Sequence, residues 1–207
     1  MPPTLQKSWF TGICEQRPTP FLVTGWIRRW LTNHFSDVNY LENQDASGPK
    51  LNFIWTDSDD TNLVIESITK WEPNLTENRP AIIIKRGPWK KIRLGMDDRH
   101  MGYILPSGET QHENWWQGSH IVFCITNSGA EAELLAAEVY SEMQKFGPVI
   151  RKILNLKKFE VSGVGDINIL EESRQNFVVP IEINYIYSEV WSVSQSGEPI
   201  NSFNFML

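Results

Sequence analysis

Asp57-Ser58-Asp59-Asp60 is the sharpest set of metal-type ligands in the chain, because clustered carboxylates can hold Ca²⁺ or Mg²⁺. Its context is poor for a calcium loop. Counted from Asp57, the position that wants glycine is Asn62 and the one that wants a carboxylate is Ile68. A solvated turn between two strands is the expectation. The rival from another class is a metal-dependent enzyme using Asp57, Asp59, Asp60 and Glu66. The four histidines, His34, His100, His112 and His120, share no ligand spacing. Surface or hydrogen-bonded roles are expected for them, with His34 at the polar edge of a helix. Ser128 lies in T-N-S-G-A, which lacks the first glycine of a nucleophile elbow. Gly163-Val164-Gly165 is half of a dinucleotide fingerprint without its third glycine, and a tight turn accounts for it. No catalytic group, metal or cofactor is therefore expected.

Two basic stretches remain. Arg79 to Arg93 carries six Lys/Arg and no acid, and Lys145 to Lys158 carries five and none. The plain reading is a solvated face. The functional one is a patch for an acidic protein surface or for passing DNA, with Trp89 as a large contact residue among Arg86, Lys90, Lys91 and Arg93. Trp115 and Trp116 are adjacent in a polar stretch. Strand alternation would send their rings to opposite faces, so at least one is expected to reach a satellite cluster or a partner.

The elements that must position these residues follow from periodicity. Residues 1–18 hold Pro2, Pro3 and Pro18 with Trp9 and Phe10 unspaced, an extended arm. Thr19 can cap a helix that Pro20 opens, with Val23, Trp26, Ile27, Trp30, Leu31 and Phe35 on one stripe. Short strands are expected at Leu51–Thr56 and Leu63–Ile68, and a hairpin from Ala81–Lys85 and Lys90–Leu94 around Arg86-Gly87-Pro88-Trp89. Gly95 to Gly118, with four glycines and no steady period, reads as a long functional loop. His120–Thr126 is a strand. Ser128-Gly-Ala-Glu131 is a capping box for a helix buried through Ala132, Leu135, Ala136, Val139, Met143 and Phe146. Gly147-Pro148 should end it and start a second helix through Leu154. Strands follow at Phe159–Val164, Ile167–Leu170 and Phe177–Val193.

The last run alternates for seventeen residues, roughly 56 Å if straight, against a diameter of roughly 43 Å for a compact domain of this length. It must bulge, most plausibly near Pro180, or project and pair with a neighbouring chain. Phe203 and Phe205 alternate in the tail beyond it, as a strand added to a partner sheet would.

The chain has 207 residues, 41% hydrophobic, 12% aromatic and 21% charged, which is enough for a real core. Its net charge of −6 argues against a general nucleic-acid coat. Cys14 and Cys124 match no metal or redox spacing, and a reducing compartment is the simpler reading. No run approaches the ~18 apolar residues of a membrane helix. The first ten residues lack the regions of a signal peptide, so no cleavable signal and no membrane partner are expected. The resulting fold class is α/β of the α+β kind. It is one domain with a mixed, largely antiparallel sheet packed by an N-terminal and a central capped helix, spanning 19–193 between arms 1–18 and 194–207.

Arg79-Pro-Ala-Ile-Ile-Ile-Lys85, Gly118-Ser-His-Ile-Val-Phe-Cys124, the Ser128 to Phe146 helix with Gly147-Pro148-Val-Ile-Arg151, and Val178-Val-Pro-Ile-Glu-Ile-Asn-Tyr185 occur in that order. In this order and pattern, over roughly residues 19 to 193, the chain resembles the tail terminator proteins of tailed bacteriophages. The resemblance implies a non-enzymatic virion subunit, made in the host cytoplasm, that forms a hexameric ring. The ring caps the tail tube and joins it to the head connector, with DNA passing its lumen. Other neck, head-completion or tail-tube proteins are the structural alternatives. The expected interface residues are Arg86, Trp89, Lys90, Lys91, Arg93, Trp115, Trp116 and, in the arms, Trp9, Phe10, Phe203 and Phe205.

Overall fold

Helix α1 (Pro20–His34) starts where the sequence places it. Thr19 is extended, and its Oγ1 accepts the Leu22 N–H at 3.3 Å, while Pro20 fills a position whose amide needs no partner. Val23, Ile27 and Leu31, one residue every four, are buried, and Phe35 closes the stripe. The computed structural model describes residues 19–42, 51–58, 60–70, 80–92, 101–104, 110–170 and 176–193. The expected arms, with Trp9, Phe10, Phe203 and Phe205, lie outside them, as do Asp59, Arg93 and His100.

The strand expected at Leu51–Thr56 does not form: Leu51 lies in a turn, Asn52 has a left-handed φ of 54°, and the segment joins no ladder among the described residues. Its amides are used elsewhere: Trp55 N–H donates to Phe35 O at 2.9 Å, and Leu63 N–H donates back to Ile54 O at 3.2 Å. This ties the segment to the end of α1 and sends Phe53 into the core. The first strand is thus β1 (Val64–Ser67), parallel to β2 (Ala81–Ile92).

The expected hairpin within 81–94 is instead this single strand. Between Arg86 and Trp89, β2 advances three residues while its antiparallel partner β4 (Thr110–Thr126) advances two, from His120 to Gly118. The extra residue is a bulge, which tolerates Pro88 without its N–H. Gly87 has no side chain to collide with Ser119. The expected Gly95–Gly118 loop is likewise corrected. It contains the first nine residues of β4 and β3 (Met101–Ile104), which pairs with Thr110–Glu113 of β4.

After β4, helix α2 (Gly129–Ile153) runs unbroken for 25 residues with Pro148 inside. The break expected at Gly147-Pro148 is overridden by burial. Ile150 and Leu154 continue the core stripe, and Gly147 packs against the Phe159 ring. The expected capping box is absent, because the Ser128 side chain makes no cap bond. The Thr126 hydroxyl instead braces the backbone of Ser128, donating to Ser128 O at 2.7 Å and accepting the Ser128 N–H at 3.4 Å.

Strands β5 (Lys158–Val164), β6 (Asn168–Ile169) and β7 (Phe177–Val193) complete a seven-stranded mixed sheet, ordered β1-β2-β4-β7-β5. β3 continues the β2 side of β4, and β6 continues the β5 side of β7. β7 pairs with β4 over all seventeen residues with no bulge at Pro180. The irregularity lies across from it in β5, between Val161 and Gly163. The two helices cover one face, where Val23, Ile27, Leu135, Val139 and Met143 meet Ile82, Ile84, Val122, Cys124, Val179 and Ile181. A smaller cluster of Val64, Ala81, Ile83, Ile125 and Val178 occupies the other face. The molecule is an α+β single domain.

Candidate assembly surface

Two strands of seventeen residues, paired from end to end, carry the helix-side core upward into a polar and aromatic face. The change begins at Gly118. A methyl group there would lie 2.6 Å from Tyr185 Cε2, so the missing side chain is what lets the Tyr185 ring lie across β4. His120, one step below on the same face, stands 5.5 Å from that ring, centroid to centroid. Its Nε2 is 2.7 Å from Thr24 Oγ1, and Thr24 donates its own proton to Pro20 O at 2.9 Å. The histidine must then be the donor, which leaves Nδ1 as a bare acceptor. Burial, with the Arg86 charge nearby, pushes the His120 pKa down to about 4, so the ring is neutral at pH 7.

Above Gly118, Trp89, Trp116 and Tyr187 pack together, with Trp89 4.9 Å from Trp116 and 6.0 Å from Tyr187. The Trp116 indole N–H donates to Glu189 Oε2 at 3.2 Å. Burial raises the Tyr185 and Tyr187 phenols, reinforced for Tyr187 by the Glu189 charge. Among the described residues the Tyr185 hydroxyl and His120 Nδ1 are buried without a hydrogen-bond partner, while the Tyr187 hydroxyl is paired with the Trp89 side chain. Trp89 remains 45% exposed.

The bulge in β2 is what puts Arg86 and Trp89 on one face. Strand alternation adds Lys91, opposite Trp116, to that face. It sends Lys90 and Trp115 to the other one. There the Trp115 N–H donates to Glu113 at 2.8 Å, and Lys157 Nζ sits 5.9 Å from the indole centroid. The expected interface residues thus divide into an inner group, Arg86, Trp89, Lys91 and Trp116, and an outer pair, Lys90 and Trp115.

The acidic turn is exposed at Asp57 and Asp60, and Thr61 N–H closes it on Ser58 O at 3.1 Å. Glu66 is held by Arg28 at 2.7 Å. Among the described residues no three His, Cys, Asp or Glu side chains are grouped to hold a metal ion. Cys124 is buried, which raises its thiol pKa.

The sequence reading missed a second cluster. His34 is 6% exposed and joins α1 to α2, with Nε2 2.9 Å from Glu138 Oε1 and Nδ1 3.2 Å from Glu142 Oε2. Trp30 Nε1 donates to Glu142 Oε1 at 2.6 Å, and the Glu42 N–H donates to Glu138 at 2.8 Å. The signal was present in the helix period. Glu138 and Glu142 are four apart and share the stripe of Leu135, Val139 and Phe146. Comparison with protein-family models and with curated proteins returned no match to the chain. No helix among the described residues is long and apolar enough to cross a membrane.

Proposed function

We propose that the protein is a non-enzymatic structural subunit that assembles into a closed ring, in the manner of the tail terminators of tailed bacteriophages, to cap a tail tube and join it to the head connector. The observation that carries this reading is the upper half of the sheet. The β4–β7 pair extends past the end of β5, and on the helix side of the sheet the adjoining β2 carries Trp89 on the same face as Arg86 and Lys91. Tryptophan and arginine are the side chains that most often carry interface energy. Among the described residues the β5–β7 ladder ends at Ile186, short of the upper part of β7, and a strand edge beyond a neighbour's end is a template for adding another strand. A virion location and passage of DNA through the ring belong to the same proposal.

Interrupting the gene in the parent virus tests it. The expected result is heads and tails that fail to join, or tails of abnormal length. Normal infectious particles lacking the protein would refute the assignment.

A further inference from the structure

The His34 cluster forms the floor of a cleft of about 500 Å³ at the C-terminal end of α1, lined by Trp30, Asn33, His34, Tyr40, Glu142 and Phe146. Its walls are aromatic: the Trp30 and Phe146 rings stand 5.4 Å apart, and Tyr40 and Phe146 are 61% and 39% exposed. Three features of the cleft favour a cation. The Glu142 carboxylate is at its floor, and its two oxygens offer more acceptor sites than Trp30 and His34 occupy. The carbonyl end of α1 adds the negative pole of the helix dipole. Aromatic faces attract ammonium and guanidinium groups, more strongly when desolvated.

The chain also carries cations in need of partners. Lys85, Arg86, Lys90 and Lys91 lie exposed on β2 with no acid among them, and none forms an ion pair among the described residues. They cannot reach the cleft of their own subunit. Thr24 touches His120, which is paired with Arg86, so β2 turns basic at the N-terminal end of α1. The helix rises about 15 Å from Thr24 to His34. Arg28 meets Glu66, whose neighbour in the sheet is Ile83, so α1 and β2 run in opposite directions and Lys90 and Lys91 are farther away still. A donor at one end and a receptor at the other make a head-to-tail contact, the kind that closes into rings.

We propose that this cleft is the receptor for a basic side chain from the β2 strand of a second copy of the chain. The proposal rests on the ring-forming reading above and names the residues of its subunit contact. Two measurements on the full chain test it. The first titrates agmatine, an alkyl guanidinium, while following the Trp30 indole N–H by NMR, with 1-butanol as the uncharged control. A saturable shift with agmatine alone, at least tenfold weaker in the Tyr40→Ala/Phe146→Ala variant, is expected. Both side chains are exposed, so the variant keeps its fold. The second follows self-association by sedimentation velocity. Lys90→Glu/Lys91→Glu and the cleft variant should each weaken association at least tenfold, and agmatine should compete with it.

No agmatine shift, or a shift that butanol matches, overturns the cleft as a cation receptor. Association that neither variant changes overturns the contact while leaving the ring standing. A wild type that stays monomeric at every concentration yet binds agmatine overturns the second copy as occupant, and with it the ring.

Discussion

Tyr185 buries its ring on the helix side of the sheet and leaves its hydroxyl without a partner among the described residues. A buried donor in that state costs about 1–3 kcal/mol, so removing the oxygen should not hurt the isolated subunit. Tyr185→Phe is expected to melt at or above the wild-type temperature. A loss of more than about 1 kcal/mol in urea titration would mean that the hydroxyl is bound in solution. Gly118→Ala should do the opposite, since its methyl group would meet the Tyr185 ring. Overpacking of this kind costs about 1–3 kcal/mol. His120 gives the pH dependence. Its folded pKa of about 4 lies below the ordinary 6.5, so the unfolded chain binds the proton first as pH falls. Stability due to this residue is full above pH 6.5, declines by roughly 3 kcal/mol as pH drops to 4, and changes no further below. The difference in urea midpoint between wild type and His120→Gln, measured at pH 7 and pH 4.5, isolates the effect. An equal difference at both values would show that His120 is not held neutral.

The elements divide by how much of their pattern was set by local chemistry. Helix α1 was legible from Thr19 to Phe35 because its cap, its first proline and a one-sided apolar stripe all agree. β7 was legible to the residue because, beyond Val178, the helix-side face from Val179 to Tyr187 is buried and the other is not, so polarity alternates. The basic half of β2 and the upper half of β4 were hidden for the converse reason. With both faces partly exposed, nothing forces alternation, and Arg86-Gly87-Pro88-Trp89 reads as a turn when it is a bulge. Pro148 misled in another way, since a local breaker lost to the burial of Ile150 and Leu154. At the start of α2 the Ser128 side chain makes no cap bond, and the Thr126 hydroxyl braces the Ser128 backbone. Ser128→Ala is therefore expected to be nearly neutral, whereas Thr126→Val should cost about 1 kcal/mol. The reverse order in thermal melts would restore the capping box.

At the scale of the molecule, the sequence read the layers correctly and the candidate surface only in part. Arg86, Trp89, Lys91 and Trp116 were expected as contact residues, and the register puts the four on one face. That Trp115 and Lys90 turn away could not be seen without knowing that 110–118 is strand, because side-chain direction needs a register. The acid-floored cleft was missed because His34, Glu138 and Glu142 come from two helices whose crossing no local pattern reveals. What unites these features is polarity of placement, with basic side chains of β2 at one end of α1 and a carboxylate-floored aromatic cleft at the other. A subunit built this way should bind its own kind head to tail and stop when the circle closes. Negative-stain electron microscopy of the purified full-length chain at micromolar concentration tests that claim most directly. Closed rings of a single diameter, with the mass of six subunits, are the predicted result. Uniform particles the size of one 23.9 kDa chain at every concentration would contradict it.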